Sequence, residues 1–174
     1  IGTVARRYGN LKTAQECYER SLEITREIGG RQNEAKTLGN LGSIAAETGD
    51  YETATEHLTE AFEIYMDINL VENAVETAEN LAWLASQRNA VEEAIDWCDK
   101  GLNLIEQSSQ DFSEIEDRLR TRKEELEESN QPDLGSLYRT ALRASADDED
   151  DDATRLFREA WSQRENLDGD SEEY

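Results

Sequence analysis

The chain has 174 residues, the length of one ordinary domain, with 41 acidic against 18 basic residues and a net charge of −23. That balance argues against a nucleic-acid binder, whose phosphate contacts need clustered Lys and Arg, and makes an anionic membrane surface an equally poor partner. No run approaches the roughly 18 apolar residues of a membrane span and no basic-then-apolar leader opens the sequence, so a soluble cytoplasmic protein is expected.

Only four of the cations are lysines, Lys12, Lys36, Lys100 and Lys123. A Lys-poor, acid-rich surface resembles proteins of salt-accumulating halophiles, where net charge maintains solubility and dense salt screens the self-repulsion. Cys17 and Cys98 lie far apart and read as buried small apolar residues. His57 has neither Cys nor His within helical reach, so neither a metal site nor a cofactor is expected. With one proline and no alternating β-rich run, the chain reads as helical throughout.

In chain order, Ile1 to Tyr8 reads as the end of a first helix, and with no initiator Met the sequence is expected to be a fragment of a longer protein. Then a period of 40 residues sets in. Tyr8-Gly9-Asn10-Leu11 aligns with Thr48-Gly49-Asp50-Tyr51, and Ala14 with Ala54 and Ala94. Ser21 aligns with Ala61 and Gly101, and Asn40-Leu41-Gly42 with Asn80-Leu81-Ala82. Small residues at Gly42/Ala82, at Ala14/Ala54/Ala94 and at Ser21/Ala61/Gly101 let antiparallel helices approach closely. Gly9 and Gly49 suit a left-handed helix end, and Asn10 and Asp50 suit the cap of the next helix. One helix pair cannot bury its apolar stripe alone, but stacked pairs can.

Residues 37 to 62, TLGNLGSIAAETGDYETATEHLTEAF, resemble a tetratricopeptide repeat, with the small-residue signature at Gly42, Ala45, Ala54 and Ala61 and large apolar positions at Leu41 and Leu58. The spacing departs from the usual 34 or so and resembles the extended repeats of kinesin light chains and of cell-polarity adaptors with LGN-type repeats. The resemblance covers residues 1–106 and implies an all-α, right-handed superhelical solenoid of antiparallel helix pairs.

Beyond 106 the signature thins. Phe112, Ile115, Leu119 and Leu126 form a narrow apolar stripe on a charged helix over 111–129, one period after a helix over 71–87. Pro132, then Leu134, Tyr138, Ala141 and Leu142, complete a degenerate fourth repeat over 107–146. An acidic linker follows at 147–152. A capping helix at 153–167 carries Leu156, Phe157, Ala160 and Trp161 on one face, and a disordered acidic tail ends the chain at 168–174.

No glycine-rich phosphate loop, nucleophile elbow or helical zinc motif occurs, so no enzyme is expected. The resemblance instead implies a concave groove, lined by the first helix of each pair, that holds a peptide segment of a partner protein. By register its residues are Arg6 and Arg7, then Lys36, Asn40, Ser43 and Glu47, then Glu76, Glu79, Asn80, Trp83 and Gln87. Asn40 and Asn80 take the family's ligand-binding position, where an amide both donates and accepts. The alternative is that these asparagines bond neighbouring helices and lock the stack. The family's carboxylate clamp, which grips chaperone C-termini, needs Lys and Asn where this chain has Gly39, Ser43, Glu79 and Trp83. Trp97 is expected to pack between repeats, leaving Trp83 as the groove's aromatic anchor. A self-association module that builds a homo-oligomer is the second functional class open to this sequence.

Overall fold

The computed structural model describes residues 2–130, 154–156 and 158. The chain divides into two units, Ile1–Ser129 and Asn130–Tyr174. In the second, Thr154, Arg155, Leu156 and Arg158 are helical. The expected second helix of the fourth repeat, the acidic linker, the rest of the capping helix with Trp161, and the tail lie outside the described residues.

The first unit is a succession of helices: α1 (Gly2–Arg7), α2 (Leu11–Glu27), α3 (Arg31–Glu47), α4 (Tyr51–Asp67), α5 (Val71–Gln87), α6 (Val91–Gln107) and α7 (Ser113–Asn130). From α2 to α6 every helix has 17 residues. A three-residue turn separates each of these from the next, so the 40-residue repeat is built from two equal halves of 20.

The turns explain this regularity. Gly9, Gly29, Gly49, Asn69 and Asn89 all have positive φ, between 57° and 81°. The N–H of the next residue donates back across the turn, Asn10 to Ala5 O, Gly30 to Thr25 O, Asp50 to Ala45 O, Leu70 to Tyr65 O and Ala90 to Ala85 O, each at 2.9 Å. This is the Schellman closure, which satisfies the last carbonyls of one helix. The same residue caps the next helix. Asn10 and Asp50 add a side-chain bond, accepting from Thr13 N at 3.1 Å and Thr53 N at 3.2 Å.

From α1 to α6, consecutive helices pack against each other in chain order, as antiparallel pairs. Helices α3 and α5 each bury eight residues, whereas α2 buries four and α4 and α6 five. The first helix of each pair is therefore the one enclosed on more sides. Ala35, Leu38, Leu41 and Ile44 of α3 meet Tyr18 and Leu22 of α2 and Ile64 of α4 in one core cluster. Val75, Ala78 and Leu81 of α5 join Leu58 of α4 and Cys98 of α6 in the next. Each such leucine contributes about 1.5 to 3 kcal/mol by leaving water. Cys98 is buried as expected, but Cys17 is only half-buried.

Close approach occurs where small residues recur. A Cβ on Gly101 would meet Leu119 Cδ1 of α7 at 2.7 Å. Charge also ties neighbours together. The buried carboxylate of Glu34 accepts from Arg26 Nε at 3.1 Å and Arg31 Nη1 at 3.2 Å, and the same two arginines reach Glu60 and Asp67 on α4.

The 20-residue rule stops after α6. Ser108 is extended rather than helical, and the following position holds Ser109 instead of Gly or Asn. Asp111 then accepts from Ser113 N at 3.0 Å, a bond that also holds its carboxyl below the usual range. Helix α7 consequently begins at Ser113, two residues later than the sequence register predicts. Phe112 and Leu119 are buried and Ile115 and Leu126 half-buried, so the expected narrow stripe exists.

Candidate functional site

The candidate binding residues fall on one stripe of each inner helix. On α3, Lys36, Asn40, Ser43 and Glu47 follow at four, three and four residues. On α5, Glu76, Asn80, Trp83 and Gln87 repeat that spacing 40 residues later. Such steps keep side chains on one helix face. All eight are exposed or half-buried, while Ala35, Leu38, Leu41 and Ala45, and Val75, Ala78, Leu81 and Ala85, turn the opposite face into the core.

The amide of Asn40 donates to Lys36 O of its own helix at 3.0 Å, and Ser43 Oγ donates to Gly39 O at 2.9 Å. Neither side chain reaches a neighbouring helix. The exposed Asn80 amide has no hydrogen-bond partner among the described residues.

Three charges of the expected groove are already answered. Arg6 of α1 donates from Nε and Nη2 to one carboxylate oxygen of Glu47 on α3. Glu79 of α5 accepts from Arg118 of α7 at 2.5 and 2.9 Å. Ion pairs thus bridge inner helices at α1–α3 and α5–α7. Lys36, Arg7 and Glu76 form no ion pair among the described residues. Glu47 was legible as a groove residue by its register, but Arg118 was not, being one exposed-looking charge among many.

Trp83 is exposed, and Tyr51 at the start of α4 meets it edge to face, with centroids 6.3 Å apart. Trp97 behaves differently. It is buried against Phe62 of α4 at 5.2 Å, with Lys100 Nζ 3.9 Å from the ring centroid. That places it between repeats, as expected. A further pair escaped the sequence reading. Thr37 and Thr77 are buried, and their hydroxyls donate to Asn33 O and Asn73 O at 2.7 Å. Their recurrence at 40 residues was the available signal.

Around the N-terminus of α5, the irregular 108–112 segment and the start of α7 lies a cavity of about 480 Å³, lined by Glu72, Glu76, Asp111, Phe112 and Glu114 among others. It adjoins the stripe through Glu76 and is acidic, in keeping with the surface as a whole. No helix among the described residues is long and apolar enough to cross a membrane.

Known proteins bear this geometry out at the level of fold. Similar structures are BtubC (BKLC) from P. vanneervenii, at 19% identity over 97% of this chain and 62% of that one with a TM-score of 0.57, and the apo form of RapI, at 17% identity over 97% and 67% with a TM-score of 0.58. The nearly identical TPR-like repeats of a Podosopora anserina protein of kinesin light chain type match at 15% identity, over 99% of this chain and 95% of that one, with a TM-score of 0.56. At such identities the likeness is one of fold alone, and the chain spans 62% of the length of BtubC. No curated protein matches the chain by sequence. Residues 1–67 match the tetratricopeptide repeat family model, and the chain carries that all-α fold of stacked antiparallel helix pairs.

Proposed function

We propose that the chain is a protein–protein interaction scaffold, without catalysis of its own, that holds a peptide segment of a partner along the exposed stripes of α3 and α5. The observation that carries this reading is the recurrence, 40 residues apart, of Asn40 and Asn80 on exposed faces, with the Asn80 amide unengaged among the described residues. An Asn side chain can donate to and accept from a peptide unit of any sequence, and two of them in register suit an extended backbone. Trp83, flanked by Glu79 and Gln87, supplies an apolar anchor. Because Arg6, Glu47 and Glu79 already have partners, the charges left to choose the peptide are Arg7, Lys36 and Glu76. Acidic residues of the ligand would face the two cations and a basic residue Glu76.

Peptides selected from a random display library against the whole chain test this. Replacing Asn40 and Asn80 by Ala should weaken the selected peptides by about 1 to 3 kcal/mol, the cost of unpaired peptide groups, with the melting curve unchanged. Peptides that bind the double variant as tightly as the parent would reject the stripe as the site.

A further inference from the structure

Where α2 passes into α3, charge straps the helices together: Arg26 pairs with Glu34 and Glu60, and Arg31 with Glu34 and Asp67. Forty residues later, where α4 passes into α5, the same five places hold Met66, Val71, Ala74, Lys100 and Gln107, and none of the four pairs can form. What stands there instead is an apolar notch of about 190 Å³, walled by Tyr65, Met66, Val71 and Leu104 among others. Met66 is 43% exposed, and Leu104 is half-buried where its counterpart Ile64 is 2% exposed.

The break in the module after α6 lengthens this notch into a trough. Between the extended connection at Ser108 and the start of α5 lies a second cavity, of about 420 Å³. It shares Val71 and Ser108 with the notch, and Glu72 and Gln110 with the 480 Å³ cavity described above. The chemistry changes along its length. One end is aliphatic and aromatic, the middle offers amides and hydroxyls, and the other end carries Glu72, Glu76, Asp111 and Glu114. No Lys or Arg lines any of the three cavities, and none of these four carboxylates is in an ion pair among the described residues. Carboxylates alone are ordinary on this chain. Beside an open apolar notch, in a wall without cations, they select a ligand that is apolar at one end and positive at the other.

We propose that this trough is a second docking site, for a segment of a partner protein that seats an aliphatic or aromatic side chain against Met66, Val71 and Leu104 and lays basic residues along Glu72, Glu76 and Glu114. Three adjoining cavities in succession suit a stretch of chain better than a compact small molecule. The site shares only Glu76 with the stripe of α3 and α5 and stands whether or not a peptide binds there.

Fluorescence anisotropy of the full chain with labelled peptides tests the proposal. In the probes one Leu is joined to an Arg-Arg pair by Gly-Ser spacers of increasing length. Saturable binding is expected, tightest at one spacer length, and weaker by at least about tenfold when the Leu becomes Ser or the Arg pair becomes Glu. Glu72→Gln with Glu114→Gln, both at exposed positions, should weaken it by a similar factor. Glu52→Gln with Glu56→Gln, which removes the same charge from exposed positions of α4, should not. Val71→Arg with Gln107→Asp rebuilds the pair that Arg31 and Asp67 make one period earlier and should close the notch to the Leu probe without lowering the melting midpoint. Asn40→Ala with Asn80→Ala should leave these probes bound, which separates the trough from the stripe. The absence of saturable binding at every spacer length would overturn the proposal, as would binding indifferent to the Leu-to-Ser exchange or weakened equally by the Glu52 and Glu56 changes. Self-association that Val71→Arg with Gln107→Asp disperses would assign the trough to a second copy and overturn it as well.

Discussion

A Cβ placed on Gly42 would stand 2.9 Å from Leu58 Cγ and 3.2 Å from the carbonyl oxygen of Ala54, so α3 and α4 meet there with no room for a further carbon. One period later the corresponding positions hold Ala82 and Cys98, both fully buried. The extra carbon on the inner helix comes with a smaller residue on the outer one. The two changes run in opposite directions, so each partly compensates the other across the pair.

This exchange predicts a coupling. Gly42→Ala alone should cost about 1 to 3 kcal/mol by overpacking, and Leu58→Cys alone about the same by leaving a cavity. The double variant, which recreates the pair found one period on, should lose less than the sum by about 0.5 to 3 kcal/mol. The cycle cancels the helix-propensity gain of Ala over Gly, which enters both arms. Urea melts of the four proteins measure it, and strictly additive losses would show that the two positions do not share space.

A second consequence concerns the turns. Asn69 and Asn89 hold φ of 57° and 58° where the earlier turns place glycine. Left-handed backbone costs an ordinary residue about 1 to 2 kcal/mol, and Asn less, because its side chain can bond locally. Asn69→Ala should therefore lower stability by about 1 kcal/mol, while Asn69→Gly and Asn89→Gly should leave it level or raise it by a few tenths. Thermal melts in which Ala matches Gly at position 69 would contradict this account of the turn.

These turns also show why the sequence yields the 40-residue period more readily than the 20-residue module beneath it. Gly9 and Gly49 stand out in an alignment at 40. Asn69 and Asn89 do the same backbone work under a different letter. The two halves of a repeat bury different sets of side chains, so the matches at 20, such as Gly9, Gly29 and Gly49 or Ala54, Ala74 and Ala94, are fewer than those at 40. The inner-helix stripe was legible for a related reason: Asn40 and Asn80 keep both letter and register. The pairs Arg6–Glu47 and Glu79–Arg118 were not, since among 41 carboxylates the choice of partner follows from the angle between helices and not from spacing along the chain.

Salt should strengthen folding. The net charge of −23 repels itself over roughly 30 Å at 0.01 M ionic strength but only about 3 Å at 1 M. Salt also weakens the ion pairs, yet apart from those of the buried Glu34 most of their members are exposed and such pairs are worth about 1 kcal/mol or less each. Relief of the repulsion should win, and the melting midpoint should climb through that range. A flat or falling midpoint would reject a surface adapted to dense salt.

Cys98 offers a test at high pH. Burial among Ala78, Leu81 and Trp97 pushes its thiol from 9.0 up to about 11, because a thiolate there would be stripped of water. The folded chain thus keeps its proton where the unfolded chain has lost it. Below pH 9 both states are protonated and the group is neutral for stability. As pH rises from 9 toward 11 the unfolded state ionises first, and stability falls by about 2 kcal/mol. Tyrosines and lysines titrate in the same region, so the informative quantity is the difference from Cys98→Ala, which should show a shallower loss over that window. Alkylation mapped by mass spectrometry supplies the kinetic counterpart: at pH 8 the half-buried Cys17 should react well before Cys98, whose labelling should wait on unfolding. Parallel pH curves for the two proteins, together with equal labelling rates for the two thiols, would show that the α5–α6 core opens to water in the folded state.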